Sequence, residues 1–259
     1  MRIQYASDLH LEFADNWRYL KEHPLEVSGD VLVLGGDIGY LGDENYAKHP
    51  FWDWAAGNYR QVIACMGNHE FYKYYDVATL PDNYSLEIRP NVHSYYNSVV
   101  RIGNVDIIVS TLWARIPLQD AFFTEQMVSD FRRILYKGEP LTFSDFNREH
   151  ERCLSFIKQA VNGSQARHKI VATHHAPSYL LQCPKFKGSK ANGAFMVELG
   201  DYIADSGIDY WIYGHTHYNV DAAIGQTKCV CNQLGYVFHN EHKEFKKGKA
   251  IEIPNADTP

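Results

Sequence analysis

Residues 30 to 37 read DVLVLGGD, an unbroken apolar run from Val31 to Leu34 that ends in two glycines and an aspartate. A strand with one wet face alternates apolar and polar residues. A run that is apolar at every position belongs to a strand covered on both faces, as in a parallel sheet between other layers. Residues 2 to 7 (RIQYAS) and 61 to 66 (QVIACM) also read as short strands, and 43 to 59 reads as helical despite Pro50. Three strands joined by segments of crossover length imply parallel pairing, because antiparallel neighbours need only a tight turn. The chain is expected to open as an α/β fold.

Working outward, residues 92 to 102 and 105 to 113 form an apolar pair around Gly103-Asn104, a hairpin signal and the start of a second sheet. From Thr142 to Val161 the apolar positions fall on one helical face, with Thr142 as N-cap and Gly163 just past the end. A strand over 169 to 174, a helix over 194 to 206 and a strand over 209 to 214 follow, then strands from 218 to 253 with turns at Gly225, Gly235 and Gly248. Segment 114 to 141 has no clear period and reads as an insertion or lid over a site.

The 259 residues are 45% apolar and 22% charged, ordinary globular composition, and suit a single domain over 1–259. No apolar run reaches the roughly 18 residues needed to span a bilayer. The N-terminus lacks a basic segment followed by an apolar one. A soluble cytoplasmic protein with no membrane partner is expected. Five cysteines, an odd number, argue against a disulfide framework, and Cys229 and Cys231 would pack from one face of a strand. A net charge of -6 disfavours a non-specific nucleic-acid binder. The basic stretches at 185 to 190 and 243 to 249 read as solvated surface.

Chemistry concentrates where the strands end. Strand 2 to 7 leads into Asp8-Leu9-His10, strand 30 to 36 into Asp37, and strand 61 to 66 into Gly67-Asn68-His69-Glu70. Strand 169 to 173 leads into His174-His175, and strand 209 to 214 into His215-Thr216-His217. In a parallel sheet these ends share one edge, the edge where ligands bind. Any one of these residues could be structural, but five such clusters at equivalent positions point to a metal site. Carboxylate, imidazole and carboxamide together suit Mn²⁺, Fe²⁺ or Zn²⁺, whereas calcium takes oxygen alone and structural zinc favours thiolate.

Taken in order over residues 8 to 217, Asp8-x-His10, Gly36-Asp37, Gly67-Asn68-His69-Glu70, His174-His175-Ala176-Pro177 and Gly214-His215-Thr216-His217 resemble the motif set of calcineurin-like metallophosphoesterases. The resemblance implies that fold, a four-layer α/β/β/α sandwich of two mixed sheets. It implies two divalent ions, Mn²⁺, Fe²⁺/Fe³⁺ or Zn²⁺, one held by Asp8, His10 and His217 and the other by Asn68, His174 and His215, with Asp37 bridging. Such a pair acidifies a shared water, and the hydroxide attacks phosphorus in line. His69 is implied to be catalytic, contacting the phosphoryl group or protonating the leaving oxygen. Some members carry a second aspartate three residues after the bridging one. This chain has Tyr40 there, so the resemblance does not say what holds His69.

Other residues read two ways. Glu70 either supports His69 or caps the element that follows, and His175 either reaches substrate or metal or packs behind His174. Trp113 and Arg115 offer a stacking face and a phosphate fork, or else core packing and surface charge. Lys185, Lys187 and Lys190 follow a ligand loop, and Tyr72, Tyr74 and Tyr75 either line the mouth or pack on the sheet. The leading function is hydrolysis of a small-molecule phosphodiester or phosphomonoester. A nuclease of the same family is disfavoured by net acidity, and a non-catalytic interaction module by the intact ligand set.

Overall fold

Strand by strand, the apolar runs pair as their composition demands. The structure is a computed structural model and describes residues 1–254. Its principal strands are β1 (Arg2–Ala6), β2 (Val31–Leu34), β3 (Gln61–Cys65), β4 (Tyr84–Arg89), β5 (Val92–Tyr96) and β6 (Ser98–Ile102). They continue as β7 (Val105–Ser110), β8 (His168–Thr173), β9 (Tyr210–Tyr213), β10 (Ala222–Ile224), β11 (Thr227–Cys231) and β12 (Ala250–Glu252). One six-stranded sheet has the order β12-β1-β2-β3-β5-β4 and the other β10-β11-β9-β8-β7-β6. In each, the four inner strands are parallel and the two edges antiparallel.

Alternation along the strands sorts the side chains into layers. Val31 and Val33 of β2 face an apolar layer that also holds Ile107 and Val109 of β7 and Ile170 of β8, so the two sheets pack face to face. Leu32 and Leu34 point the other way, against α1 (Ala14–Glu22) and α2 (Pro50–Asn58) through Leu20, Phe51 and Trp52. The outer face of the second sheet, including Trp211, Cys229 and Cys231, packs on Phe146, Cys153 and Ile157 of a long helix over 143–163. Helix, sheet, sheet and helix thus stack in four layers, and the two cysteines share one buried face as their spacing implied.

Several boundaries move from the sequence expectation. Residues 92 to 102 are two strands in different sheets, because the chain crosses over at Asn97 (φ 43°). The Asn97 amide donates to Asp82 at 2.8 Å and its carbonyl accepts from Ser110 at 2.7 Å, which holds the bend. Of 43 to 59 only Pro50–Asn58 is α-helical, since Pro50 supplies a first-turn residue and not an interior one. Within 194 to 206 the α-helix is confined to Gly200–Asp205. Segment 114 to 141 folds into two short helices, α3 (Ala121–Met127) and α4 (Asp130–Arg133), and two strands, 134–136 and 139–140, that join 75–76 in a small third sheet. The long helix, α5 (Phe143–Gly163), starts as expected at Thr142, whose hydroxyl accepts from the Asp145 N–H in a capping box. Among the described residues no helix is long and apolar enough to cross a membrane.

Candidate metal centre

Strand geometry delivers the polar clusters to one place. The turns after β1 and β2 zip together, with Asp8 N–H donating to Gly36 O and His10 N–H to Asp37 O, both at 2.9 Å. Gly214 N–H donates to His174 O at 2.9 Å, which ties the turns after β9 and β8 in the second sheet. Five of the seven candidate ligands sit in the left-handed region: Asp8 (φ 55°), His10 (47°), Asp37 (55°), His215 (71°) and His217 (48°). A non-glycine residue there costs roughly 1 kcal/mol or more, and such strain gathers at functional sites. Glu70 helps hold it. Its buried carboxylate accepts backbone N–H groups from Gly67 (2.7 Å), Ile38 (2.8 Å), Asp37 (2.9 Å) and Gly39 (3.3 Å). Gly67 is bare for a reason, since a Cβ there would collide with the Asp37 carboxylate and lie 2.8 Å from His174 Cε1.

Hydrogen bonds on the outer side of each ligand decide where its lone pairs point. A carboxylate or carbonyl oxygen can only accept, so the ring nitrogen facing it carries the proton. His10 Nδ1 donates to Glu12 at 3.0 Å and His217 Nδ1 to Glu241 at 2.6 Å. Their Nε2 atoms then face each other as bare lone pairs 3.0 Å apart, with Asp8 Oδ1 3.3 Å from His217 Nε2. On the other side, His174 Nδ1 donates to Gly35 O at 2.9 Å and His215 Nε2 to Ala194 O at 3.2 Å. The Asn68 amide donates to Asp130 at 2.9 Å. His174 Nε2, His215 Nδ1 and Asn68 Oδ1 are therefore all acceptors, at 3.0 and 2.9 Å from His174. Between the sets lies Asp37, with Oδ1 3.3 Å from His174 Nε2 and Oδ2 3.8 Å from His10 Nε2.

Acceptors facing acceptors at such distances need a positive charge between them. The donor atoms of Asp8, His10 and His217 lie within 4.8 Å of one another, as do those of Asp37, His174 and His215. Imidazole with carboxylate and carboxamide oxygen fits a borderline divalent cation, and each imidazole has the outer acceptor that metal-bound histidine requires. In the absence of metal, protons take that place. Burial opposes a charged His217, but Asp8 and Glu241 overcome it and push it up to about 10. Burial likewise opposes a charged His174, and Asp37 carries it up to about 9. Burial would raise Asp37, yet His174, His69 and His10 hold it well below the usual carboxylate range.

His69 lies beside the two sets, and one of its ring nitrogens comes within 4.8 Å of donor atoms of His10 and Asp37, a third buried group of metal-capable side chains. Its Nδ1 donates to Glu12 at 2.8 Å, and its Nε2 sits 3.9 Å from Asp37 and 3.3 Å from the Tyr236 hydroxyl. Burial lowers its pKa, but Asp37 and Glu12 outweigh that and raise it. Glu12 is thus the group that holds His69 where Tyr40 replaces an aspartate. The same carboxylate oxygen serves His10, and the two histidines draw Glu12 down to about 2 against the effect of burial.

Three residues read from sequence as substrate contacts lie elsewhere. Trp113 is fully buried, stacked on Phe71 and packed against Phe146, so it has no face to offer a ligand. Arg115 is exposed and outside the cavity above the ligands. His175 is fully buried between Trp113 and His215, its Nδ1 donating to Thr111 O at 3.2 Å, and it packs behind the ligand. Lys185, Lys187 and Lys190 are exposed outside that cavity too, whereas Tyr72 does line it. Sequence reasoning missed Glu12, Asp130 and Glu241. Glu12 carried a signal, standing two residues after a histidine ligand. Asp130 and Glu241 carried none, because Asp130 comes from a segment without period and Glu241 from a stretch read as strand that is a 3-10 turn, Glu241–Glu244.

Comparison with known proteins follows the same lines. The mimivirus of Acanthamoeba polyphaga has an uncharacterized protein, L509, that is 27% identical over 281 residues, covering 98% of this chain and 97% of its own. The phosphopantetheinyl hydrolase of Mycobacterium tuberculosis shares the fold, with a TM-score of 0.68 over 99% of this chain and 97% of that one at 14% identity. The family model for calcineurin-like phosphoesterases matches residues 1–219, the stretch that supplies every candidate ligand. The chain belongs to the calcineurin-like phosphoesterases and is a metal-dependent phosphoester hydrolase.

Proposed function

We propose that the chain, acting as one domain, hydrolyses a small phosphodiester or phosphomonoester at a dinuclear centre with water as nucleophile. The observation that carries this reading is the outward commitment of every imidazole N–H, which leaves two sets of lone pairs converging across Asp37. Asp8, His10 and His217 would hold one ion, Asn68, His174 and His215 the other, and Asp37 would serve both. Two divalent ions there, Mn²⁺, Fe²⁺/Fe³⁺ or Zn²⁺, supply Lewis acidity toward the phosphoryl oxygens and make water a competent nucleophile at neutral pH.

The chain's own residues do the rest. Because Nδ1 of His69 is committed to Glu12, its free position is Nε2, which faces the cavity beside the Tyr236 hydroxyl. There it delivers a proton to the leaving oxygen. Asp130 keeps the Asn68 carboxamide oxygen inward by taking its N–H, so segment 114 to 141 contributes to the site as well as covering it. Among the described residues no Lys or Arg lines the cavity, which supports a small ester over a polynucleotide that needs a cationic track.

Protein loaded with Mn²⁺ and assayed on bis-p-nitrophenyl phosphate and p-nitrophenyl phosphate, with metal measured in the same sample, tests the reading. Two ions per chain and turnover of at least one ester are expected. Two bound ions with cleavage of neither would refute it and leave an interaction module.

A further inference from the structure

The cavity over the ligands has a volume of about 430 Å³, within the range of small-molecule sites. Its floor is the ligand cluster. Its walls come from two segments that the central sheets do not need, 114 to 141 and the loop after β8, through Met127, Val128, Cys183, Phe186, Phe195 and Met196. Phe195 stacks on the His215 ring at 4.7 Å, which brings the apolar wall up to the metal site itself. At the lip, Phe186 is 50% exposed and Met127 62%, so both keep apolar surface in water that a bound apolar group would cover.

Charge points the same way. Among the described residues the acids lining the cavity are Asp37, Asp130 and Glu241, and no lysine or arginine joins them. Arg133, on the insertion, lies over the Tyr72 ring at 5.1 Å and outside the lining. Bound cations answer one phosphoryl group. A second phosphate would meet the carboxylate of the part-exposed Glu241, with no cation among the described lining residues to answer it.

We propose that the substrate carries a single phosphoryl group esterified to an apolar alkyl or aryl alcohol, and that the wall built by Met127, Phe186 and Phe195 selects it over polyphosphates and nucleic acids. This rests on the phosphoesterase reading above. For a diester, water's oxygen bonds to phosphorus as one P–O ester bond breaks, the leaving oxygen takes a proton, and an alcohol and a phosphomonoester result.

The test is kcat/KM of the Mn²⁺-loaded enzyme on p-nitrophenyl phosphodiesters whose second group is methyl, butyl or hexyl. A fully buried methylene is worth about fourfold in affinity, and a partly open wall captures only part of that, so a rise of at least tenfold from methyl to hexyl is expected. A smaller rise overturns the proposal. Changing Phe186→Ser and Met127→Ser together should cut the hexyl-to-methyl ratio at least threefold, and an unchanged ratio would move the selection away from this wall. Calorimetry should show hexylphosphonate binding more tightly than methylphosphonate, and equal affinity contradicts the proposal without reference to turnover. Absence of any cleavage of these diesters and of p-nitrophenyl phosphate with metal bound sinks the hydrolase reading itself, whereas cleavage indifferent to chain length sinks only this inference.

Discussion

Changing Glu12→Gln tests what supports the proposed acid. One oxygen, Oε1, accepts from His69 Nδ1 at 2.8 Å and from His10 Nδ1 at 3.0 Å, while Oε2 has no partner. An amide of the same shape can keep Oε1 toward both rings and put its NH₂ at the unused position, so the substitution chiefly removes charge. Held at about 2, Glu12 is ionised throughout any practical assay range. A hydrogen bond to an ionised group is worth about 1.5–3 kcal/mol and a neutral one about 0.5–1.5. The His69 imidazolium should therefore lose about 1–1.5 kcal/mol of support, or about tenfold in a rate that needs its proton. An alkyl leaving oxygen needs that proton and p-nitrophenolate does not. The expected result is about a tenfold loss of kcat on methyl phosphate and less than about threefold on p-nitrophenyl phosphate. Because His10 shares the same oxygen, metal affinity should fall by about 10–100-fold, so the rates must be compared at saturating Mn²⁺ with stoichiometry measured. Equal losses on the two esters at full metal content would refute Glu12 as the support of the acid.

Three further outcomes follow from the same geometry. Gly67→Ala places a methyl against Asp37 and His174, so it should destabilise the chelator-treated protein by about 1–3 kcal/mol in urea unfolding and lower Mn²⁺ retention; unchanged retention would contradict the packing. His174 at about 9 and His217 at about 10 are protonated at neutral pH without metal, so metal binding must expel protons and tighten as pH rises, which calorimetry in buffers of different ionisation enthalpy reads directly. Both pKa values lie above the unfolded value of about 6.5, so their stabilisation of the metal-free fold is complete below that pH and disappears as pH climbs through 9 to 10. A metal-free protein equally stable at pH 6 and pH 10 would contradict this.

The fold was legible wherever burial on both faces wrote itself into consecutive residues. Val31 to Leu34 is apolar at every position because its alternate side chains enter two different cores. The same logic failed at 92 to 102, where one apolar run serves two sheets. Composition registers burial and not which sheet buries it, and the crossing rests on Asn97, a single polar residue whose bonds to Asp82 and Ser110 are invisible before folding. Trp113 misled for a related reason. Following a strand and preceding an arginine, it looked placed at a rim, yet it packs on Phe71 and Phe146, which lie 42 and 33 residues away in the chain.

The site divides along the same line. Its inner residues follow strand ends, and a parallel sheet collects strand ends by construction, so Asp8, Asp37, Asn68, His174 and His215 could be grouped from order alone. The carboxylates behind them follow no such rule. Glu241 reaches His217 across 24 residues and Asp130 reaches Asn68 across 62, each from a segment whose position is set by packing against the rim. Yet these outer groups fix which nitrogen of each ring is bare and which way the carboxamide points. Without them the imidazoles could turn their protons inward, and the convergence of lone pairs that calls for metal would be lost. The legible half of the sequence thus says that a cation site is possible, and the illegible half makes its lone pairs converge.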